Sequence, residues 1–287
     1  MPKLKQMTDS PQDGARDHWS EIATRWEQVG PPLRPSPEDL KYFNAEIAQW
    51  SGRFGRPRAL ILGVTPELCL LEWPAGTSLL ALDNTPGMIK ALWPGSMNSV
   101  ICGDWRSVPL RDQSVDLVLC DGGVHLLDHP EGHRQFAQTL RRVLAVGGLC
   151  LFRLFTPPEE PELPAQVFES LWSGGIDNLN QLKLRLCMAM QADPEEGVAL
   201  HAVWEAVAKQ ASDLDRLALD LGWPAAHVRA IESYRDSPNA YHFLTLAQVE
   251  ALFCSAIGGF ELVRVHRPSY RLGERCPLAV LLRVGPD

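Results

Sequence analysis

The chain has 287 residues, 45% of them hydrophobic and 22% charged, with a formal net charge of −8, a composition that excludes fibrous and disordered classes. No apolar run approaches the ~20 residues that span a bilayer, and the opening MPKLKQMTDSPQDGARD lacks the apolar core of a secretory signal, so a cytoplasmic location is expected. There is no Lys/Arg cluster, which argues against nucleic acid as a partner, because phosphate binding leans on a basic surface. Seven cysteines without a C-x-x-C pair read as small buried hydrophobes rather than disulfides or metal ligands.

Residues 1–15 are expected to be disordered. In RDHWSEIATRWEQVG, Trp19, Ile22, Ala23, Trp26 and Val29 recur at helical spacing. Four prolines in GPPLRPSPEDL end that stripe, and Ser36 followed by Pro37 and an acidic turn starts a helix running to about Trp50. From residue 58 short apolar runs at 59–64, 78–82, 99–102, 115–120 and 149–155 alternate with helical stretches, as parallel strands covered on both faces do. Between the last two, HPEGHRQFAQTLRRVLAVGG predicts a helix with Phe136, Leu140, Val143 and Leu144 inward and Gly147 at its end. Residues 157–243 interrupt the alternation with helical segments and no obvious strand. Thr245 and Gln248 then form a capping box for one more helix. FELVRVHR and CPLAVLLRV follow, too close together for a parallel crossover and so expected as an antiparallel hairpin.

The expected fold is therefore α/β: a doubly wound, mostly parallel seven-stranded sheet with helices on both faces, an antiparallel C-terminal strand and a helical insertion. In such a sheet ligands bind at the carboxyl ends of the strands. The first apolar run ends at Gly63 in ALILGVTPEL, the second at Asp83 in LLALDNTPGMIKAL, the third at Asp104 in SVICGDWRSVPL, and the fourth at Asp121-Gly122-Gly123 in VDLVLCDGGVHLLD. An acid about 20 residues beyond a glycine turn can accept both hydroxyls of a ribose. Asp104, with Trp105 beside it, can accept from an exocyclic amine.

This order of features resembles the class I S-adenosylmethionine-dependent methyltransferases, over roughly residues 58–156 and 245–284. The resemblance implies a cofactor-contacting set of Gly63, Val64, Thr65, Asp83, Asn84, Met88, Gly103, Asp104, Trp105, Asp121 and Gly122, with S-adenosylmethionine as cofactor and S-adenosylhomocysteine as product. The departures lie in the first motif. Ile61 stands where the family usually has an acid, and Thr65 and Glu67 stand where it has its second and third glycines. The family's Asn/Asp-Pro-Pro-aromatic signature for amino acceptors is absent from the fourth strand.

His125 and Asp121 are the candidate catalytic groups, and no metal site is expected. Arg34, Arg267, Tyr270, Arg271 and Arg275 could recognise an acidic substrate or belong to a solvated hairpin. The layout reads as N-terminal helices over 16–52 capping the site, a cofactor-binding core over 53–156, a substrate cover over 157–243 and completion of the core over 244–287. The expected activity is methyl transfer to a small molecule. Alternatives left open are cyclisation or aminopropyl transfer from the same cofactor, nicotinamide-dependent oxidoreduction, and a non-catalytic partner protein of this fold.

Overall fold

The computed structural model describes residues 19, 20, 22–255 and 258–285, so the expected disordered tail lies outside the described residues. The first long helix, α1 (Pro37–Phe54), opens on a capping box: the Ser36 hydroxyl accepts from the Asp39 amide and the Asp39 carboxylate accepts from the Ser36 amide. Then follow β1 (Arg58–Leu62), the single-turn α2 (Pro66–Cys69), β2 (Ser78–Asp83), α3 (Pro86–Leu92), β3 (Val100–Cys102), β4 (Val115–Asp121), α4 (Glu131–Val143) and β5 (Leu144–Arg153). The inserted segment holds α5 (Pro164–Trp172), α6 (Leu179–Met190), β6 (Val198–Ala199), α7 (Leu200–Gln210), α8 (Leu214–Leu221), α9 (Ala225–Arg229) and β7 (Ala240–Tyr241). The chain returns through α10 (Leu246–Phe253), β8 (Phe260–His266) and β9 (Leu278–Arg283).

Seven strands form one sheet in the order β3-β2-β1-β4-β5-β9-β8. The first five run parallel, and β9 lies antiparallel to both β5 and β8. Successive residues of β1 face opposite sides, as a strand requires. Leu60 and Leu62 pack with Phe136, Leu140 and Phe253, while Ala59 and Ile61 pack with Phe43, Ile47 and Ile89. Burial on both faces explains why the strands read as continuous apolar runs. The winding reverses between β1 and β4, which opens a crevice at their carboxyl ends.

Two local differences from the sequence reading have physical reasons. Helix α4 ends at Val143, and Leu144-Ala-Val-Gly-Gly already belongs to β5. Gly147 takes a φ of +82° there, and a Cβ on Gly148 would stand 2.6 Å from the Asp116 carbonyl oxygen. The two glycines let β5 bend past the irregularity in its pairing with β4 rather than end the helix. The insertion, read as wholly helical, also contains the antiparallel two-residue pair β6–β7, too short to leave an alternation in the sequence. It builds its own apolar core from Val167, Leu182, Leu186, Val203 and Ile231. No described helix is long and apolar enough to cross a membrane.

Candidate active site

A cavity of about 660 Å³ lies over the carboxyl ends of β1 to β4, within the ~300–1,000 Å³ range of small-molecule and cofactor pockets. The eleven residues of the expected cofactor set and His125 all line it.

At the end of β1 the chain turns at Gly63 with φ +90°. A Cβ there would meet nothing closer than 3.7 Å, from Trp105, so glycine is required by conformation rather than by space. The Gly63 amide and the Trp105 indole N–H both donate to the Leu82 carbonyl, each at 2.8 Å. Trp105 is therefore a brace between strand ends rather than a free lid. The positions lacking glycine also have roles. The Glu67 carboxylate accepts from Arg34 Nε at 2.8 Å, which ties the N-terminal segment to the β1 turn. With α2 only four residues long, the helix end there supplies little dipole.

Asp83 is 7% exposed, and its Oδ1 accepts from the Thr85 amide at 2.7 Å. Burial pushes its carboxyl up to about 6, against the hydrogen bonds of Thr85, which pull it down. A buried carboxyl in this state gains from any further donor that enters. Asp104 is arranged differently. Burial raises its pKa, but hydrogen bonds from the Arg106 side chain and amide, together with the guanidinium charge, outweigh that and hold it below the ordinary range. Arg106 donates to it from Nη2 at 2.7 Å and also reaches Asp128 at 3.2 Å. The Asp104 side chain nevertheless remains 36% exposed.

Asp121 ends β4 opposite Arg153 of β5, and the two form an ion pair in which the Asp121 side chain is 3% exposed and Arg153 is fully buried. Burial opposes the guanidinium charge, but the Asp121 carboxylate outweighs it and moves the Arg153 pKa upward. Arg153 Nη1 continues to the Pro32 carbonyl at 2.9 Å, and the guanidinium lies over the Phe155 ring. Asp121 is thus a post that holds β4, β5 and the N-terminal segment together. Gly122 follows with φ +57°, where a Cβ would stand 2.7 Å from Phe155.

His125 stacks on Phe243 at 5.0 Å and meets the edge of Tyr241 at 4.6 Å. Burial, then the charges of His133 and His242, push its imidazole down to about 3, so it is neutral at physiological pH.

The rest of the wall comes from outside the sheet. Trp19, Ile22, Trp26 and Val29 line the cavity from the N-terminal side, and Lys183, Tyr234 and Tyr241 line it from the insertion. Asn180 of α6 donates to the Gln28 carbonyl at 3.3 Å, joining these two walls. Three of the four arginines weighed from the sequence are engaged elsewhere, Arg34 with Glu67, Arg271 with Asp177 and Arg275 with Glu162, Arg267 is exposed, and Tyr270 donates to Asp39. None of the five lines the cavity. Sequence reasoning missed Lys183, although a signal was present. Its helical neighbours at i−4, i+3 and i+4 are Leu179, Leu186 and Cys187, so the lysine falls on a face that must be buried. Among the described residues, no three His, Cys, Asp or Glu side chains gather as a metal site.

Residues 62–152, about a third of the chain, match a family model described as a methyltransferase domain. This segment is similar to a methyltransferase domain. It runs from the end of β1 into β5 and contains the cavity-lining residues that follow β1, β2, β3 and β4. Comparison with curated protein sequences gives no match. The fold of the whole chain recurs in solved structures at low identity. A Rhodobacter sphaeroides protein provisionally described as a zinc-dependent alcohol dehydrogenase is 14% identical with a TM-score of 0.58, over 94% of this chain and 99% of that one. A Haloferax volcanii protein provisionally described as a methyltransferase, in complex with the Trm112 methyltransferase activator, is 14% identical with a TM-score of 0.51, over 95% and 98%. The 1,6-didemethyltoxoflavin N1-methyltransferase of Burkholderia thailandensis, with its substrate and S-adenosylhomocysteine bound, is 11% identical with a TM-score of 0.50, over 98% and 94%. These likenesses show the fold alone: a mostly parallel, Rossmann-like seven-stranded sheet with its antiparallel strand in place.

Proposed function

We propose that this protein binds S-adenosylmethionine in the cavity and directs its methyl group to a small-molecule acceptor, leaving S-adenosylhomocysteine. The observation that carries this reading is that the Gly63 turn, the Asp83 carboxyl and the Asp104 carboxyl, all in the segment similar to a methyltransferase domain, meet in one cavity under a roof built by the insertion.

The residues fit the cofactor. The ribose diol is matched to Asp83, whose buried carboxyl has only Thr85 as donor. The exposed edge of Asp104 suits the exocyclic amine of adenine, with Gly103 and Trp105 beside it. Gly63, Val64 and Thr65 admit the backbone-hugging part of the ligand. Asn84, Met88 and Gly122 complete the contact set, and Asp121 acts through its pairing with Arg153. When bound there, S-adenosylmethionine would supply an electrophilic methyl carbon for an acceptor lone pair, with the sulfur as leaving group. The protein's share of the rate lies in alignment and exclusion of water, since orientation can supply most of such a barrier reduction. Trp26 and Val29 on one side, with Tyr234 and Tyr241 on the other, provide that enclosure. His125 is too weakly basic to hold a proton at neutral pH, so we assign it to shaping the acceptor site rather than to proton removal.

Calorimetric titration with S-adenosylmethionine and S-adenosylhomocysteine tests the reading. Micromolar binding of either is expected, and absence of binding to both overturns it.

A further inference from the structure

The inserted roof places a single cation on the cavity wall without a counter-charge. Lys183 is 7% exposed, and its ammonium lies 4.3 Å from the centroid of the Tyr234 ring. Among the described residues no carboxylate pairs with it. The neighbouring Cys187 thiol is pushed by burial up to about 12 and is therefore uncharged. Burial lowers the Lys183 pKa to about 8, which still leaves most of it protonated at neutral pH. A desolvated ammonium with only a ring face as partner is costly to keep in a folded protein, and such groups are normally paired. Cation–π attraction to Tyr234 offsets part of that loss, but a ring cannot accept the three hydrogen bonds an ammonium offers.

From Lys183 an aromatic surface continues along the wall. Tyr234 meets Tyr241 edge-on at 6.4 Å, Tyr241 meets His125 at 4.6 Å, and His125 meets Phe155 at 5.2 Å. Phe243 stacks parallel behind His125 and holds its plane. One end of this wall is therefore a cation, and the remainder is a set of aromatic rings edge-on or tilted to one another, an arrangement that takes up a further ring by its face and edge. That combination matches a flat aromatic body bearing one anionic oxygen group.

We propose that the methyl acceptor is an aromatic carboxylic acid whose carboxylate seats on Lys183 while its ring lies along Tyr241, His125 and Phe155. This rests on the methyl-transfer reading of the same cavity and narrows its acceptor class. Lys183 is then a specificity-determining residue, and the carboxylates of Asp83 and Asp104 disfavour an anion at their own end of the same cavity.

Matched probes test the proposal in the full-length protein, with and without S-adenosylhomocysteine. Indole-3-acetate, phenylacetate and 4-hydroxybenzoate are titrated beside their amides by ligand-observed NMR. At least one acid is expected to bind about tenfold or more tightly than its amide, the scale of a hydrogen bond to a charged group. The preference should vanish in Lys183→Met and persist in Lys183→Arg. Equal binding of acids and amides, failure of every acid to bind, or a preference surviving in Lys183→Met overturns the proposal. A loss of S-adenosylhomocysteine affinity in Lys183→Met also overturns it, because Lys183 would then serve the cofactor. The acid–amide comparison in the unmodified protein stands even if a variant does not fold. Failure of S-adenosylhomocysteine to bind the unmodified protein counts instead against methyl transfer, and the probes without it still report on Lys183.

Discussion

The ends of β2 and β4 look alike in sequence, an apolar run closing on an aspartate at the same edge of one sheet, yet the two carboxylates do opposite work. Asp121 is matched within the fold by Arg153, and removing it strands a guanidinium that is completely buried. Asp83 pairs with no cation among the described residues and has only Thr85 as donor, so it sits in the folded protein under strain of desolvation. The difference teaches that a strand-end acid is marked for ligand by what the fold leaves unsatisfied around it, not by its position alone.

The largest effect expected is at β4. Asp121→Ala should lose about 3–5 kcal/mol of folding stability, the range for breaking a buried ion pair from one side, read by urea denaturation. A stable Asp121→Ala protein that had lost only S-adenosylhomocysteine affinity would break the comparison. At β2, Asp83→Asn should weaken S-adenosylhomocysteine binding by about 10- to 100-fold, the scale of lost hydrogen bonds to a charged acceptor. The same change should leave the unliganded protein more stable by about 1–2 kcal/mol at neutral pH, because functional strain is relieved. The sign follows from linkage. The folded pKa of about 6 lies above the ordinary carboxyl value of 3.8, so the folded state binds more protons. Ionised Asp83 then destabilises the fold increasingly as pH rises from about 4 through 6. The asparagine advantage should accordingly be absent at low pH and complete above about 6. An Asp83→Asn protein that binds the cofactor normally would remove Asp83 from the site.

A pH titration sharpens the same contrast with a smaller effect. Ribose hydroxyls donate to the ionised form of Asp83, so affinity should fall by about tenfold between pH 7.5 and pH 5. In Asp83→Asn that dependence should disappear; an unchanged slope would assign it to another group. The smallest effect is expected at the brace between the strands. Trp105→Phe removes the indole donor to Leu82, whose carbonyl keeps the Gly63 amide, and should cost about 1 kcal/mol of stability. A loss of cofactor affinity with no change in melting temperature would instead make the indole a ligand-contacting group.

Much of this was readable in the chain because the signals are local. Ser36 and Thr245 cap their helices with the box partners their sequences offer, Asp39 and Gln248. Gly63 sits where an apolar run stops, and its positive φ shows why no other residue is found there. The apolar runs located the strands because each is buried on both faces. The end of α4 was misplaced because Gly147-Gly148 is equally good punctuation for a helix end and for a bent strand. The pair β6–β7 was invisible because two residues carry no periodicity.

The sequence by itself determined the order of the elements that build the large sheet and the ends of β1 to β4 with the loops that follow them, since these follow from hydrophobic period and turn chemistry within short windows. Only the tertiary structure decided which charges are satisfied. Asp121 meets Arg153 through the β4–β5 register across 32 residues, and Lys183 reaches the cavity through the packing of a separate helical core. The energy of a charge depends on its desolvation and its partners, and both are properties of the assembled fold.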